Sequence, residues 1–197
     1  MRQIFAVFGA LLALAAARPA GATPLVYDFD QRFGSISFAV DVLGMFTANG
    51  DFRRFMGTLD LDPARPEATR IDVTIDANSV AMESDDAVTM LRSPDYFDPA
   101  HYPRIRFQST RVETAGEGSY RLSGVLSVRD ARHDQTLDVS MVGRHTDASG
   151  QEIADVVATG ALDRSAFGML ADRPLIDDKV RLKILMRVVL RRAGTGG

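Results

Sequence analysis

Few side chains in this sequence of 197 residues are suited to chemistry. The chain has three histidines, His101, His133 and His145, and none stands in the H-x-H or H-E-x-x-H spacing that brings two imidazoles onto one metal ion. We predict that all three are exposed polar residues in turns or at strand ends. The sequence thus predicts no metal site.

Two pairs of adjacent carboxylates could serve general acid–base catalysis. Asp85 and Asp86 stand in the first turn of a predicted helix, where the helix dipole favours acidic side chains without any catalytic role. Asp177 and Asp178 stand just before the last predicted strand, where a turn favours aspartate. We therefore interpret both pairs as structural.

The common nucleophile and cofactor motifs are missing as well. The sequence contains no G-x-S-x-G, no phosphate-binding loop and no G-x-G-x-x-G. It also contains no cysteine, which excludes a thiol nucleophile, a thiolate metal site and a disulfide framework. We predict a protein without enzymatic activity, metal or cofactor.

The N-terminal residues have the organisation of a secretory signal peptide. Arg2 precedes the apolar run from residue 4 to residue 17, and Ala20-Gly21-Ala22 supplies an A-x-A cleavage site. The run is shorter than the roughly 20 apolar residues that span a bilayer, so an uncleaved anchor is the less favoured alternative. We predict a signal peptide of residues 1–22, cleaved after Ala22, and, because the chain has no disulfides, a periplasmic protein.

A single domain is expected from residue 23 to residue 197. The hydrophobic content of 46% is that of a globular protein. Without Arg2 and Arg18, 21 of the 23 basic residues stand against 26 acidic ones, a formal charge near −5. Such a surface does not favour a nucleic-acid partner.

Alternation of apolar and polar residues predicts strands along most of this domain. Ile71, Val73 and Ile75, for example, alternate with polar neighbours. One short helix is predicted between a Ser84 cap and Pro94. The eight predicted strands cover residues 35–43, 50–61, 70–78, 104–112, 120–129, 136–144, 153–162 and 180–190.

The absence of helical crossovers between these strands predicts an antiparallel sheet. Strands of about ten residues are roughly 33 Å long, which is long for a sandwich. An eight-stranded barrel has no exposed edges, and its interior is either filled by side chains or holds one small ligand. We therefore predict an all-β, extended eight-stranded antiparallel barrel with one short helix between strands.

The most specific signature in the chain joins the helix to the next strand. The sequences LRSPDYFD, residues 91–98, and YPRIRFQST, residues 102–110, resemble the LRS-x-D-F-F-D and Y-P-x-I-x-F-x-S-T signature of the YceI-like family. The resemblance extends from about Tyr27 to Leu190. Further segments resemble the family in the same order, at residues 38–40, 50–52, 124–128, 163–168 and 178–180.

The resemblance implies a lipocalin-like barrel, exported to the periplasm, whose apolar tunnel binds a polyisoprenoid or a similar long-chain amphiphile. The protein would transport, store or sequester this lipid, and transient contact with a membrane and pairing into a homodimer are considered as well. The ligand-binding residues predicted from the motifs and from the inward-facing strand positions are Phe38, Val40, Phe52, Phe55, Phe97, Phe107, Leu122, Leu126, Val128, Phe167, Leu182 and Ile184.

The chain departs from the family's usual residues at three places. Phe33-Gly34 stands where His-Ser is common, Val42 where a histidine is frequent, and Asp130 where a glycine is frequent. We expect these positions near the mouth of the barrel, where they would affect the choice of headgroup.

Two other functions remain open at this point. The tunnel could be the substrate pocket of an isomerase-like enzyme, with His101, Tyr102 or Arg164 as polar groups near a mouth. The barrel could also be simply packed, in a stress-protective or interaction protein that binds partners on its outer surface.

Overall fold

A computed structural model describes residues 25–61, 65–146, 150 and 152–190. The predicted signal peptide, residues 1–22, lies outside these ranges. The described chain forms one curled antiparallel sheet with a short α-helix, which confirms the all-β, lipocalin-like class. The strands are β1 Leu25–Asp30, β2 Gly34–Val42, β3 Phe46–Phe52, β4 Phe55–Leu61, β5 Arg70–Asp76, β6 Val80–Met82, β7 Arg104–Gly116, β8 Ser119–Val128, β9 Ala131–Thr146, β10 Glu152–Asp163 and β11 Ile176–Leu190.

The described ranges contain eleven strands where eight were predicted: β1 and β6 lie outside every predicted strand, and the predicted strand 50–61 spans two. Three long segments are each broken by a kink. Residues 31–33 separate β1 from β2, Arg53 and Arg54 separate β3 from β4, and the 3-10 helix Ala77–Ser79 separates β5 from β6. The two halves of a kinked segment pair with different neighbours: β1 pairs with β4, whereas β2 pairs with β3 and β11. The predicted strand 50–61 therefore merged the end of β3 with β4.

The curled sheet is unpaired along one side, between β1 and the end of β11. The strand order is β1-β4-β5-β7-β8-β9-β10-β11-β2-β3-β6. The ladder between β11 and β2 ends where Met186 lies opposite Gly34, and the Arg187 N–H then donates to the Phe33 carbonyl at 2.7 Å. Within the described residues, β1 forms a ladder with β4 alone. β1 and β11 approach each other without forming a ladder, and we call this unpaired boundary between β1 and residues 187–190 the side opening.

The helix α1, Asp85–Leu91, lies where the sequence predicts it. The Ser84 hydroxyl accepts a hydrogen bond from the Ala87 N–H at 3.4 Å, and two aspartates occupy the first turn. No helix in the described ranges is long and apolar enough to cross a membrane. We call the end of the sheet that is covered by α1, by residues 92–103 and by the 3-10 helix Arg164–Phe167 the covered end, and the opposite end the far end.

β7, β9, β10 and β11 are longer than predicted, and β-bulges or register shifts interrupt the ladders that they form. β7 has a register shift between Ser109 and Arg111, and β9 has one opposite Asp155 and Val156. β9 therefore runs for 16 residues. One prediction is corrected by these bounds, because Asp177 and Asp178 lie within β11 rather than before it. His133 and His145 lie near the two ends of β9 and are exposed, as predicted.

Bulky inward-facing side chains lie over glycines of the neighbouring strand. Phe38 of β2 lies opposite Gly50 of β3, where an added Cβ atom would come within 2.3 Å of the phenyl ring. Phe107 of β7 lies over Gly124 of β8 in the same way, with 2.5 Å between its ring and an added Cβ atom. Because nothing projects from these glycines, the rings can lie along the inner wall instead of pointing to the centre.

We expect Gly50→Ala to lower the free energy of unfolding by about 1–3 kcal/mol, since the new methyl group overpacks the Phe38 ring. Urea unfolding measures the effect. Gly143→Ala is the matched control, because its added Cβ atom would meet its nearest neighbour, Asp155, at an ordinary 3.7 Å. Equal unfolding free energies for the two variants would show that the packing of the Phe38 ring does not require a glycine at position 50.

Candidate functional site

An aromatic cluster fills the interior at the covered end. The ring centroids of Phe38 and Phe52 are 5.7 Å apart, and Phe97 lies at 6.4 Å from the first and 5.4 Å from the second. Phe38 and Phe52 are 9% and 8% exposed. These rings form a packed core that closes this end of the interior.

Arg164 holds the covered end together and is itself 3% exposed. Its Nε donates to the Asp177 carbonyl, its Nη1 to the Met169 carbonyl and its Nη2 to the Ile176 carbonyl, each at 2.9 Å. The guanidinium also lies 5.9 Å from the centroid of the Tyr96 ring. With all three nitrogens bound to backbone oxygens, Arg164 fixes the chain between the 3-10 helix and β11 rather than facing a substrate.

Two carboxylates complete this structural network. The Tyr96 hydroxyl donates to Asp172 at 2.6 Å, and burial together with this carboxylate raises the pKa of Tyr96. The Ser165 hydroxyl donates to Asp178 at 2.6 Å, and this hydrogen bond holds the pKa of the carboxyl below its usual value. Asp178 is therefore engaged in the packing of the loop, as the interpretation of the Asp177-Asp178 pair as structural requires.

The three histidines have separate partners. His101 Nδ1 lies 2.9 Å from an Asp98 oxygen at the surface, and His145 Nδ1 lies 3.7 Å from Asp155. His133 Nε2 lies 2.8 Å from the Ala166 carbonyl at the covered end. The described residues hold no group of three histidine, cysteine or acidic side chains that could bind a metal.

The candidate residues for an isomerase do not form one site. His101 is paired with Asp98 and its side chain is 75% exposed, whereas Arg164 is buried among backbone carbonyls. Tyr102 lies beneath Arg129, with 5.6 Å between the guanidinium and the ring centroid. This arrangement gives structural roles to all three side chains.

Along part of the inner face, the apolar side chains are only half-buried, whereas others, such as Val112, Leu122 and Leu137, are buried. Alternation and register place a set of apolar side chains on the inside, where they pack against the core. A side chain that points into a fully packed barrel would be buried, so partial exposure indicates that solvent reaches this face from the side opening or the far end. The set, which we call the inner stripe, is Phe29, Ile36, Ile71, Val73, Tyr120, Val139, Leu182, Ile184 and Met186.

The structure divides the residues predicted to bind ligand into two groups. Those that are buried belong to the packed core and are Phe38, Phe52, Phe55, Phe107, Leu122, Leu126, Val128 and Phe167. Those that are half-buried are Val40, Phe97, Leu182 and Ile184. Leu182 and Ile184 also lie on the inner stripe, whose other members were not predicted although Ile71 and Val73 show the same alternation in the sequence.

The outer wall carries two grooves of about 420 and 430 Å³. The first is lined by charged residues that pair with one another, as Arg32 does with Asp30 at 2.8 Å. The second lies over Val142 and Leu185 on the outside of β9 and β11. Their polar rims distinguish both grooves from the apolar inner stripe.

The positions that depart from the family pattern lie at different ends of the sheet. Phe33-Gly34 forms the kink between β1 and β2 beside the side opening, whereas Val42 ends β2 at the covered end. Asp130 lies in the turn between β8 and β9, also at the covered end. The expectation that all three surround one mouth is wrong, because Gly34 and Val42 stand at opposite ends of β2.

A charged pair joins β2 to β11. Arg181 donates to both Asp41 oxygens at 2.8 Å, and the Thr47 hydroxyl donates to Asp41 at 2.8 Å. The hydrogen bond from Arg181, followed by that from Thr47, lowers the pKa of Asp41 from 3.8 to about 2. Because the folded pKa lies below the unfolded one, the pair stabilises the fold above pH 3.8, and this contribution is lost as the pH falls towards 2.

We therefore expect Asp41→Asn to be less stable than the parent at neutral pH, with the difference shrinking as the pH falls through this window. Urea unfolding at a series of pH values measures it. Arg181→Met supplies the control background, in which adding Asp41→Asn should produce a smaller pH-dependent difference, since only the hydrogen bond from Thr47 then lowers the pKa of Asp41. A difference that stays constant down to pH 2 would contradict the pairing.

A family model described as the YceI-like domain matches residues 27–188. The chain belongs to the YceI-like family. A UPF0312 protein of Vibrio parahaemolyticus is 29% identical over 163 residues, covering 82% of this chain and 86% of its own length. A UPF0312 protein of Pectobacterium carotovorum is 28% identical over 179 residues, covering 91% and 93%.

Solved structures share the fold. BcnA of Burkholderia cenocepacia has a TM-score of 0.70 at 21% identity, covering 79% of this chain and 96% of its own. The YceI protein of Campylobacter jejuni has a TM-score of 0.65 at 24% identity, covering 73% and 85%. A protein from Saccharophagus degradans described as a polyisoprenoid-binding domain has a TM-score of 0.57 at 14% identity, covering 84% and 98%.

The YceI-like signature lies at the covered end. The segment LRSPDYFD supplies Leu91, Tyr96 and Phe97 to the packed core, and Arg164 and Phe167 come from the R-x-x-F-G segment. Gly168 ends that 3-10 helix with φ 76°, a left-handed conformation that favours glycine. The most recognisable residues of the family therefore build the cover, whereas the inner stripe consists of interchangeable aliphatic and aromatic residues.

Proposed function

We propose that this YceI-like protein holds a long-chain isoprenoid or a similar amphiphilic lipid against the inner stripe, for transport, storage or sequestration. The observation that carries the proposal is the half-buried apolar inner face beside an unpaired side opening. An alkyl chain laid along this face would complete the burial that the protein's own side chains leave incomplete. The side opening offers such a chain a lateral route.

The hydrophobic effect supplies enough free energy for such binding. Each buried CH₂ group contributes about 0.8 kcal/mol, so a five-carbon isoprene unit contributes roughly 4 kcal/mol before the costs of association are subtracted. Five or six units therefore suffice for tight binding to an apolar surface that needs no specific polar contact.

Lipid binding without turnover agrees with the side chains at the covered end. The groups considered for an isomerase are occupied by structural partners, Arg164 by three carbonyls and His101 by Asp98. We therefore propose a binding protein rather than an enzyme. We propose that it acts in the periplasm, after export directed by the predicted signal peptide, residues 1–22.

Contact with a membrane is proposed through the covered end. The hairpin between β2 and β3 presents Leu43, Met45 and Phe46, which are 52%, 76% and 64% exposed. The Leu43 N–H donates to the carbonyl of Leu175, itself 55% exposed, so the hairpin and the chain before β11 form one apolar rim. Such a rim suits a brief interaction with a bilayer surface.

Lipid identification from protein purified without detergent tests the proposed function. We expect native mass spectrometry to show an adduct and organic extraction to yield a long-chain isoprenoid or related amphiphile. A uniformly ligand-free protein that also fails to take up added hexaprenol would contradict the proposal. It would favour the packed-barrel alternative, in which partners bind on the outer surface.

A further inference from the structure

Two hydroxyl groups on the inner face have no hydrogen-bond partner. Among the described residues, the buried side-chain polar atoms without a partner are Tyr27 Oη, Thr69 Oγ1, Asp60 Oδ1 and Arg129 Nε. Buried hydroxyls are normally hydrogen-bonded, and an unmade bond costs free energy. Each such atom therefore needs an explanation.

Tyr27 and Thr69 share one face and one end of the sheet. Tyr27 lies opposite Leu59, and Leu59 lies opposite Ile71 of the inner stripe. Thr69 directly precedes β5 and is 5% exposed, and extending the alternation of β5 back by one residue places it on the same face. Asp60 lies between Val26 and Arg70, both exposed, and so belongs to the outer face.

The two hydroxyls can reach one ligand group. β1, β4 and β5 are neighbours in the sheet, so β1 and β5 are about 10 Å apart at roughly 4.8 Å per strand. A tyrosine side chain extends over much of that distance. Tyr27 also lies on β1, the strand that borders the side opening. Both hydroxyl oxygens are enclosed by protein in the ligand-free fold, so a polar atom that enters there would reach them once the neighbouring side chains move aside.

We propose that Tyr27 and Thr69 form a subsite for the neutral, oxygen-containing headgroup of the bound lipid. This inference rests on the proposed function. A hydroxyl both donates and accepts, so the pair suits an alcohol or a carbonyl. The neighbouring inward residues Phe29, Leu59 and Ile71 are apolar and offer no countercharge, which disfavours a phosphate or a carboxylate.

A matched pair of ligands tests the subsite. Hexaprenol and squalene each contain six isoprene units, but squalene is a hydrocarbon without a hydroxyl. We expect Tyr27→Phe and Thr69→Val each to weaken hexaprenol binding by about three- to tenfold, the effect of one hydrogen bond, and to leave squalene binding unchanged. Tyr102→Phe, at the covered end, is the control and should alter neither affinity. Competitive native mass spectrometry measures both ligands in one sample.

The ligand-free variant gives a second, independent readout. Because Tyr27→Phe removes a buried hydroxyl that lacks a partner, it should raise the Tm of the ligand-free protein by about 2–4 °C. If the Tyr27 hydroxyl instead stabilises the fold, the Tm of the Tyr27→Phe variant should be lower than that of the parent. Equal weakening of both ligands, or a lower Tm with unchanged preference for hexaprenol, would overturn the subsite while leaving lipid binding intact. Failure of the unaltered protein to bind either ligand would overturn the proposed function itself, and the subsite with it.

Discussion

Replacing Ile184 with glutamate is expected to lower the affinity for hexaprenol at least about a hundredfold, because a carboxylate would then face the bound chain. Ile184 lies on β11 between Ala158 of β10 and Ile36 of β2, in the middle of the inner stripe. A lipid cannot supply a hydrogen bond or a countercharge there. The competition assay with hexaprenol measures the loss.

The neighbouring residue provides the control. Leu185 follows on the same strand, points to the outside and is 41% exposed. Leu185→Glu should therefore bind hexaprenol like the parent. Ile184→Thr is a milder inward variant, which should fold like the parent and still lose about tenfold in affinity. Equal effects at positions 184 and 185 would place the lipid somewhere other than the inner face.

Replacing Arg164 with methionine is expected to lower the free energy of unfolding by about 3–5 kcal/mol. The change leaves three carbonyl oxygens, those of Met169, Ile176 and Asp177, without the donor that they have in the native fold. Arg164→Lys should recover only part of this loss, since an ammonium cannot reproduce three donors in a planar fork. Urea unfolding monitored by circular dichroism measures both variants.

An exposed arginine serves as the control for this series. Arg53 lies 3.7 Å from Asp51 and its side chain is 72% exposed, so Arg53→Met should change the unfolding free energy by less than about 0.5 kcal/mol. A fully stable Arg164→Met variant would contradict the structural role of Arg164 and return it to the candidates for chemistry.

The sequence predicts the class of the fold because period-two alternation survives along most strands. Ile71, Val73 and Ile75 alternate without a break, and all three face inward. The helix is likewise predictable from local signals, the Ser84 cap and the two aspartates of its first turn. Local chemistry determines both elements.

The kinks and bulges are less visible in the sequence. Arg53 and Arg54 interrupt β3 and β4, and Phe52 and Phe55 are both inward-facing and buried. Residues three apart cannot share a face in a continuous strand, and the prediction of one strand overlooked this signal. The extra residue of a bulge shifts alternation by one, and the prediction for β7 accordingly ended near Val112 although the strand continues to Gly116.

Which inward-facing residues are buried and which are half-buried depends on contacts between distant residues. Phe38 and Leu182 are both apolar, inward-facing strand residues, and they lie opposite each other in the ladder between β2 and β11. Phe38 is buried because Phe97, from the segment after α1, packs against it. Sequence alternation identifies the inward face, but only the fold shows which part of that face is already covered.

A crystal structure of the protein loaded with hexaprenol tests the central claim most directly. The account predicts continuous density for the isoprenoid chain along Ile36, Ile184 and Met186, with the hydroxyl end beside Tyr27 and the aromatic cluster of the covered end unmoved. Density for the chain in an outer groove, over Val142 and Leu185, with the inner stripe filled by its own side chains, would contradict it.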